Sequence, residues 1–215
     1  MKTGLLFDLD GTLLDTLEDL MDATNYALAA HGYPTKTLEE LRAIVGNGAA
    51  TQIRKCLPEG TSDEESELVL NTYKPYYATH CQILTKPYDG IHQALEQLSG
   101  QYPIAIVSNK PDVAVKELCK DYFPGIFALG EHAGCPRKPA PDMVYRAMEA
   151  IGVETCIYIG DSEVDILTAA NAKVPCLSVS WGFRSREQLR AAGAEVICTE
   201  THKLTETIEE MIHGK

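Results

Sequence analysis

Short apolar runs recur along the chain at Gly4-Leu5-Leu6-Phe7, Pro103-Ile104-Ala105-Ile106-Val107, Thr155-Cys156-Ile157-Tyr158-Ile159 and Pro175-Cys176-Leu177-Ser178-Val179. None alternates with polar residues, so each predicts a strand buried on both faces. A weaker run at Ala194–Cys198 predicts an edge strand. Helical patterns separate them at about Asp112–Tyr122, Pro141–Ile151, Val164–Ala172 and Arg186–Ala192. The last is opened by a capping box from Ser185 to Gln188 and stopped at Gly193. An amphipathic helix is expected over Thr205–His213. Continuous apolar strands joined by helices predict an α/β fold with a parallel sheet covered on both faces.

Between Asp15 and about Lys86 the pattern changes, and no buried strand is evident. Thr16-x-x-Asp19 and Thr37-x-x-Glu40 read as capping boxes, Gly32 and Gly46 as helix stops, and Ser62–Tyr77 as one long helix. This predicts an all-helical insertion of about four helices that leaves after the first strand and returns near Pro87. The expected organisation is a core of residues 1–14 and 86–215 with an inserted domain at 15–85. The plainer alternative is a helical layer packed on the same core.

At 215 residues, with 45% apolar and 23% charged positions, the chain has the composition of a globular protein with a sizeable core. Its net charge of -12 speaks against general nucleic-acid or anionic-membrane binding. An anionic substrate would therefore need local positive charge. The seven cysteines are widely spaced and form no Cys-x-x-Cys, which fits neither a zinc site nor a disulfide framework. They are expected to be core thiols. No apolar stretch approaches spanning length and the N-terminus is apolar only briefly before Asp8, so a cytoplasmic location is expected.

Candidate chemistry lies where the strands end. In open parallel sheets, ligands bind at the carboxyl ends of the strands. The first strand runs into Asp8 and Asp10, two carboxylates one residue apart that share a side of an extended segment. The run through Val107 leads to Ser108-Asn109-Lys110, and that through Ile159 to Gly160-Asp161-Ser162, with Asp165 one helical turn on. Arg137-Lys138-Pro139 precedes a helix in a proline-stiffened loop. Alone, each has a plainer account: a cap at Ser108-Asn109, dipole-facing acids at Asp161 and Asp165, surface lysines at Lys110 and Lys138. Jointly they bring four carboxylates, a hydroxyl and an ammonium into one crevice. Hard oxygen donors of this kind suit Mg²⁺, and Ser with Lys suits a phosphate.

Four motifs in order, Asp8-x-Asp10-Gly11-Thr12, Ser108-Asn109, Lys138-Pro139 and Gly160-Asp161-Ser162-x-x-Asp165, resemble those of the haloacid dehalogenase superfamily. The nearest likeness is to its phosphatases with a helical cap inserted after the first strand. The resemblance implies a Rossmann-like three-layer core, a mobile cap that selects substrate, and a phosphomonoesterase. It implies that Asp8 is the nucleophile and Asp10 the acid–base partner. Mg²⁺ is implied on Asp8, the main-chain carbonyl of Asp10, and Asp161. Ser108, the backbone at Asn109 and Lys138 would hold the phosphoryl group, with Asp165 supporting the metal or Lys138.

Within the superfamily, Asp10 argues against a dehalogenase and Thr12 against a sugar-phosphate mutase. The segment Gly46-Asn47-Gly48 resembles the corresponding loop of bacterial phosphoglycolate phosphatases; otherwise it reads as a helix stop with a glycine turn. Arg42 and Arg54 flank it and could supply charge or face solvent. The expected partner is a small phosphorylated metabolite, with 2-phosphoglycolate the leading candidate and the protein a monomer or homodimer. The alternatives are a phosphatase for another phosphate or pyrophosphate, a mutase resembling β-phosphoglucomutase, and a catalytically silent binding module. The scattered histidines show no ligand spacing, and Trp181-Gly182-Phe183 could wall the active site but is expected rather to pack beneath a loop.

Overall fold

The computed structural model describes residues 2–214. The chain opens with β1 (Thr3–Phe7) and β2 (Leu14–Asp15), followed by α1 (Leu17–Ala30), α2 (Leu38–Ile44), α3 (Ala49–Cys56) and α4 (Asp63–His80). It continues through β3 (Lys86–Pro87), α5 (Ile91–Ser99), β4 (Ile104–Pro111), α6 (Asp112–Tyr122) and β5 (Phe127–Glu131). The last third runs α7 (Asp142–Ile151), β6 (Thr155–Gly160), α8 (Glu163–Ala172), β7 (Cys176–Val179), α9 (Arg186–Ala191), β8 (Val196–Cys198) and α10 (Leu204–His213).

Two compact units result. One is Asp15–Lys86; the other joins the segment ending at Leu14 to that beginning at Pro87. The second unit is built on a six-stranded parallel sheet in the order β5-β4-β1-β6-β7-β8. From β1 the chain steps outward to β4 and β5, then crosses back to β6, β7 and β8 on the other side. The reversal leaves a crevice at the carboxyl end of β1, the position where open α/β sheets bind ligands.

Strand alternation assigns the layers. Leu5, Phe7, Ile106, Ile159 and Val179 pack on one face with Leu95 and Leu98 of α5, Leu118 of α6 and Ile208 of α10. Leu6, Val107 and Tyr158 point to the other, against Val144 and Ala147 of α7 and Ala169 of α8. Both faces are covered, which is why the strands read as unbroken apolar runs. Besides the two-residue strands β2 and β3, two elements lie beyond the sequence reading. β5 has a mostly half-exposed pattern although it takes in most of the short apolar run Ile126-Phe127-Ala128-Leu129, and α5 follows the chain's return at Pro87.

The unit Asp15–Lys86 is all-helical but for the single residues of β2 and β3 that enter it. The boxes at Thr37–Glu40 and Ser62–Glu65 are formed, and α4 runs on past Tyr77 to His80 with Pro75 inside it. The expected box at Thr16–Asp19 is not formed, since Thr16 makes no side-chain cap bond. Asp19 instead turns inward, and its carboxylate accepts main-chain N–H bonds from Ile83, Leu84 and Thr85 at 2.8 to 3.1 Å. A buried acceptor with three donors outweighs one local cap bond, because those N–H groups would otherwise be unsatisfied. Among the described residues, no helix is long and apolar enough to cross a membrane.

Asp19→Asn puts an amide NH₂ against those donors and is expected to destabilise the helical unit by about 2–3 kcal/mol. Urea unfolding measures the loss, and hydrogen exchange at residues 83–85 locates it. Unchanged protection there would count against the clamp.

Candidate functional site

Asp8 directly follows β1, and its main-chain N–H donates to the Ile159 carbonyl of β6 at 2.8 Å. This fixes the residue between two strand ends. Around it the structure gathers Lys138, Asp161 and Asp165, all buried. Lys138 Nζ lies 2.8 Å from Asp8 Oδ1 and 2.8 Å from Asp165 Oδ1. Asp8, Asp161 and Asp165 each offer a carboxylate oxygen within 4.8 Å of the other two.

Each group is held by a specific local device. Asn109 uses both ends of its amide on the main chain of Lys138: Nδ2 donates to the Lys138 carbonyl at 3.0 Å, and Oδ1 accepts from the Lys138 N–H at 2.8 Å. Its side chain thus aims the lysine. Asp165 accepts at Oδ2 from the N–H and hydroxyl of Ser162, at 3.1 and 2.6 Å, and at Oδ1 from Lys138 Nζ. It is therefore both the first-turn acid of α8 and the partner of Lys138. Asp161 accepts the Phe183 N–H at 2.6 Å and the Thr12 hydroxyl at 3.4 Å. Ser108 is buried beside these groups, and its Oγ accepts the Lys110 N–H at 3.2 Å.

Two expectations are corrected here. Trp181-Gly182-Phe183 is part of the site's wall: Trp181 Nε1 donates to the Thr12 carbonyl at 3.0 Å, and Phe183 supplies the N–H on Asp161. Arg184, next in sequence, is buried and paired with Glu163 at 2.8 Å, which anchors the segment to the start of α8. Lys110 is no surface lysine, for its ammonium is buried 2.8 Å from Asp10 Oδ1. The side chain of Asp10 turns to that lysine and is not among the three clustered carboxylates.

Close approach is what makes the cluster possible. A Cβ on Gly11 or Gly182 would collide with Asp161, and one on Gly160 with Asp165. Backbone at these three positions lies where any side chain would displace a carboxylate. The positive φ of +83° at Gly11 gives that residue a second reason to be glycine.

The electrostatics follow from burial. Desolvation pushes the Asp8 carboxyl up to about 7, opposed by Lys138. Burial, then the charges of Asp165 and Asp8, hold Asp161 well above the usual range. Burial pulls the Lys138 ammonium down, but Asp165 and Asp8 outweigh it and hold that group well above its ordinary value. Three buried carboxyl groups facing one ammonium leave the site short of positive charge, in a donor set made only of oxygen. That combination fits a hard divalent cation.

In the other unit, Gly46 and Gly48 adopt φ values of +115° and +79°. Gly48 caps α3 without a side-chain bond, and no acid lies in that helix's first turn. Arg42 contacts Glu39 at 3.8 Å and Arg54 contacts Asp63 at 3.2 Å, so both flanking arginines face local acids. All seven cysteines are free and all but half-buried Cys176 are buried.

Residues 5–179 match the sequence profile of the haloacid dehalogenase-like hydrolases. Among curated proteins, the phosphoglycolate phosphatase of Rhodobacter capsulatus is 35% identical over 193 residues, covering 86% of this chain and 87% of that protein. That of Vibrio parahaemolyticus is 31% identical over 218 residues, covering 95% of each. A crystal structure from Lactobacillus delbrueckii subsp. bulgaricus, provisionally described as a phosphoglycolate phosphatase, is also similar. It is 40% identical with a TM-score of 0.91, covering 97% of this chain and 99% of that one.

The raised Asp8 group makes stability depend on pH in a definite direction. The folded protein holds this proton up to about pH 7, whereas the ordinary aspartate value of 3.8 applies once the chain unfolds. The favourable contribution is therefore complete below about pH 4 and is lost as pH rises through 7, on the order of a few kcal/mol. Metal-free protein should lose stability between about pH 4 and 7, and Asp8→Asn should flatten that part of the profile in urea unfolding. A steeper profile in the variant would refute this. Separately, Gly182→Ala should cost about 1–3 kcal/mol by forcing Asp161 aside. Gly100→Ala, where a Cβ meets nothing closer than 3.8 Å, should be neutral or slightly stabilising, both variants being compared by urea unfolding.

Proposed function

This chain belongs to the haloacid dehalogenase-like hydrolases and is a phosphoric monoester hydrolase; from that premise we propose that it hydrolyses 2-phosphoglycolate through an aspartyl-phosphate on Asp8, with Mg²⁺ as cofactor. The observation that carries the mechanism is the buried cluster of Asp8, Lys138, Asp161 and Asp165 at the carboxyl end of β1. The substrate reading rests on the names of the relatives from Rhodobacter capsulatus and Vibrio parahaemolyticus.

In the proposed reaction a carboxylate oxygen of Asp8 attacks phosphorus as the bond to the leaving oxygen breaks. Asp10 gives its proton to that oxygen. Water then attacks the aspartyl-phosphate, Asp10 takes its proton, and Asp8 returns as a carboxylate with phosphate released. Splitting the hydrolysis in two replaces one difficult step with two easier ones. Lys138, the Ser108 hydroxyl and the main-chain N–H of Asn109 would bind phosphoryl oxygens, while Asp165 and the Asn109 side chain keep Lys138 aimed. Asp8, Asp161 and the main-chain carbonyl of Asp10 would hold Mg²⁺, whose charge offsets repulsion between carboxylate and phosphate when it is bound.

We assign substrate choice to the helical unit Asp15–Lys86. Its candidate segment is Gly46-Asn47-Gly48, which leads into the start of α3, where the positive end of the helix dipole suits an anionic carboxylate. The negative net charge makes such local donors necessary.

The test compares kcat/KM for phosphate release from 2-phosphoglycolate, β-glucose 1-phosphate, pyrophosphate and nucleotides. The expected order places 2-phosphoglycolate first, with activity abolished by a chelator and restored by Mg²⁺. Asp8→Asn should fall to background while keeping its fold by circular dichroism. Substantial metal-dependent turnover in that variant would overturn the nucleophile, and a better substrate elsewhere in the panel would overturn only the substrate.

A further inference from the structure

Lys110 has no part in the chemistry assigned above, yet it is buried and charged within the site. Its side chain is 3% exposed and its ammonium lies 2.8 Å from Asp10 Oδ1. Taking a lysine out of water is costly unless a partner is held in place, so this pairing requires an architectural cause. The cause lies in the register of β4 against β5. Val107 pairs with Leu129 and Pro111 with Glu131, so four residues of β4 advance while β5 advances two. β4 therefore carries a bulge over Ser108-Asn109-Lys110, and bulges re-aim side chains beside functional sites.

Two further details fix the bulge. Opposite it stands Gly130, where a Cβ would strike the Lys110 carbonyl and the main chain of Asp112. The Gly130 N–H donates to Asp112 Oδ1 at 2.9 Å, and Asp112 is in turn held by Lys116 at 2.6 Å. The Lys110 N–H is held by Ser108 Oγ at 3.2 Å. The irregular stretch that supplies Ser108 and Asn109 to one side of the site thus turns Lys110 toward Asp10 on the other.

We infer that Lys110 is a positioning residue for Asp10: by engaging Oδ1, it orients the carboxyl so that Oδ2 handles the proton exchanged with the leaving oxygen and then with water. The inference rests on the proposed acid–base role of Asp10 and goes beyond it by naming what holds that group. As the Asp8–phosphorus bond forms and the bond to the leaving oxygen breaks, the proton on Asp10 passes to that oxygen. The resulting carboxylate remains against the Lys110 ammonium. A good leaving group needs little of that proton, whereas an alkoxide needs it fully.

The experiment uses the full-length chain with Mg²⁺ and compares p-nitrophenyl phosphate with alkyl phosphates, 2-phosphoglycolate included, for wild type, Asp10→Asn, Lys110→Met and the double variant. Lys110→Met is expected to lower kcat on alkyl phosphates by at least about ten-fold and on p-nitrophenyl phosphate by less than about three-fold. The ratio between substrates is unaffected by any inactive fraction, so partial misfolding cannot mimic the result. The double variant should be no slower than Asp10→Asn alone, since Lys110 acts through Asp10. Equal losses on both substrates, no loss on either, or additive losses in the double variant would each overturn the inference. Asp10→Asn separates this from the reading beneath it: if that variant shows no dependence on leaving group, the acid–base role of Asp10 itself fails.

Discussion

The structure turns on one electrostatic constraint: three carboxylates and an ammonium lie buried together at the end of a single strand. Left to themselves, Asp8, Asp161 and Asp165 would repel one another in a medium that screens them poorly. What holds them is a set of directed donors. Lys138 bridges Asp8 and Asp165, Ser162 bonds Asp165, and Phe183 bonds Asp161. Every donor comes from a different loop, so the order of the sheet is what brings them within reach. A parallel sheet with β1 between β4 and β6 is therefore a condition of the chemistry as well as its support.

Much of this was readable in the sequence because the responsible signals are local. Apolar runs that stop at Asp8, Ser108 and Asp161 mark strand ends, and strand ends in such sheets converge. The cluster of Asp8, Lys138, Asp161 and Asp165 follows from that rule together with the order of the motifs. The features that escaped have nonlocal causes. β5 has only the short apolar run Ile126–Leu129 between two glycines, and its place at the sheet edge, half-exposed, is set by pairing with β4. The inward turn of Lys110 depends on a bulge and on a glycine twenty residues away, neither of which has a local signature. Thr16-x-x-Asp19 has the spacing of a capping box, but the three N–H groups at residues 83–85 that claim Asp19 belong to a distant part of the chain. Trp181-Gly182-Phe183 contributes to the site through its main chain and one indole N–H, so its side-chain chemistry gave little warning.

The same contrast separates the two units. In the sheet-bearing unit, chemistry-bearing side chains announce themselves. In the helical unit Asp15–Lys86, the candidate segment is distinguished by two glycines at positive φ and an uncapped helix start, features of backbone geometry. A site made from main-chain donors carries no characteristic side chain, which is why the reaction class is easier to read than the molecule it acts on.

The double bond pattern between Asn109 and the main chain of Lys138 has a consequence for how the protein can change. Lys138 takes its position from the strand end that carries Asn109, and the residues leading up to it from Glu131 act as a tether of adjustable length. Lengthening or shortening that tether would leave the lysine docked where the amide grips it. Evolution, or a designer, can thus vary the exposed positions Ala133, Gly134 and Pro136 of that loop, with buried Cys135 as its anchor, while the ammonium beside Asp8 stays in register.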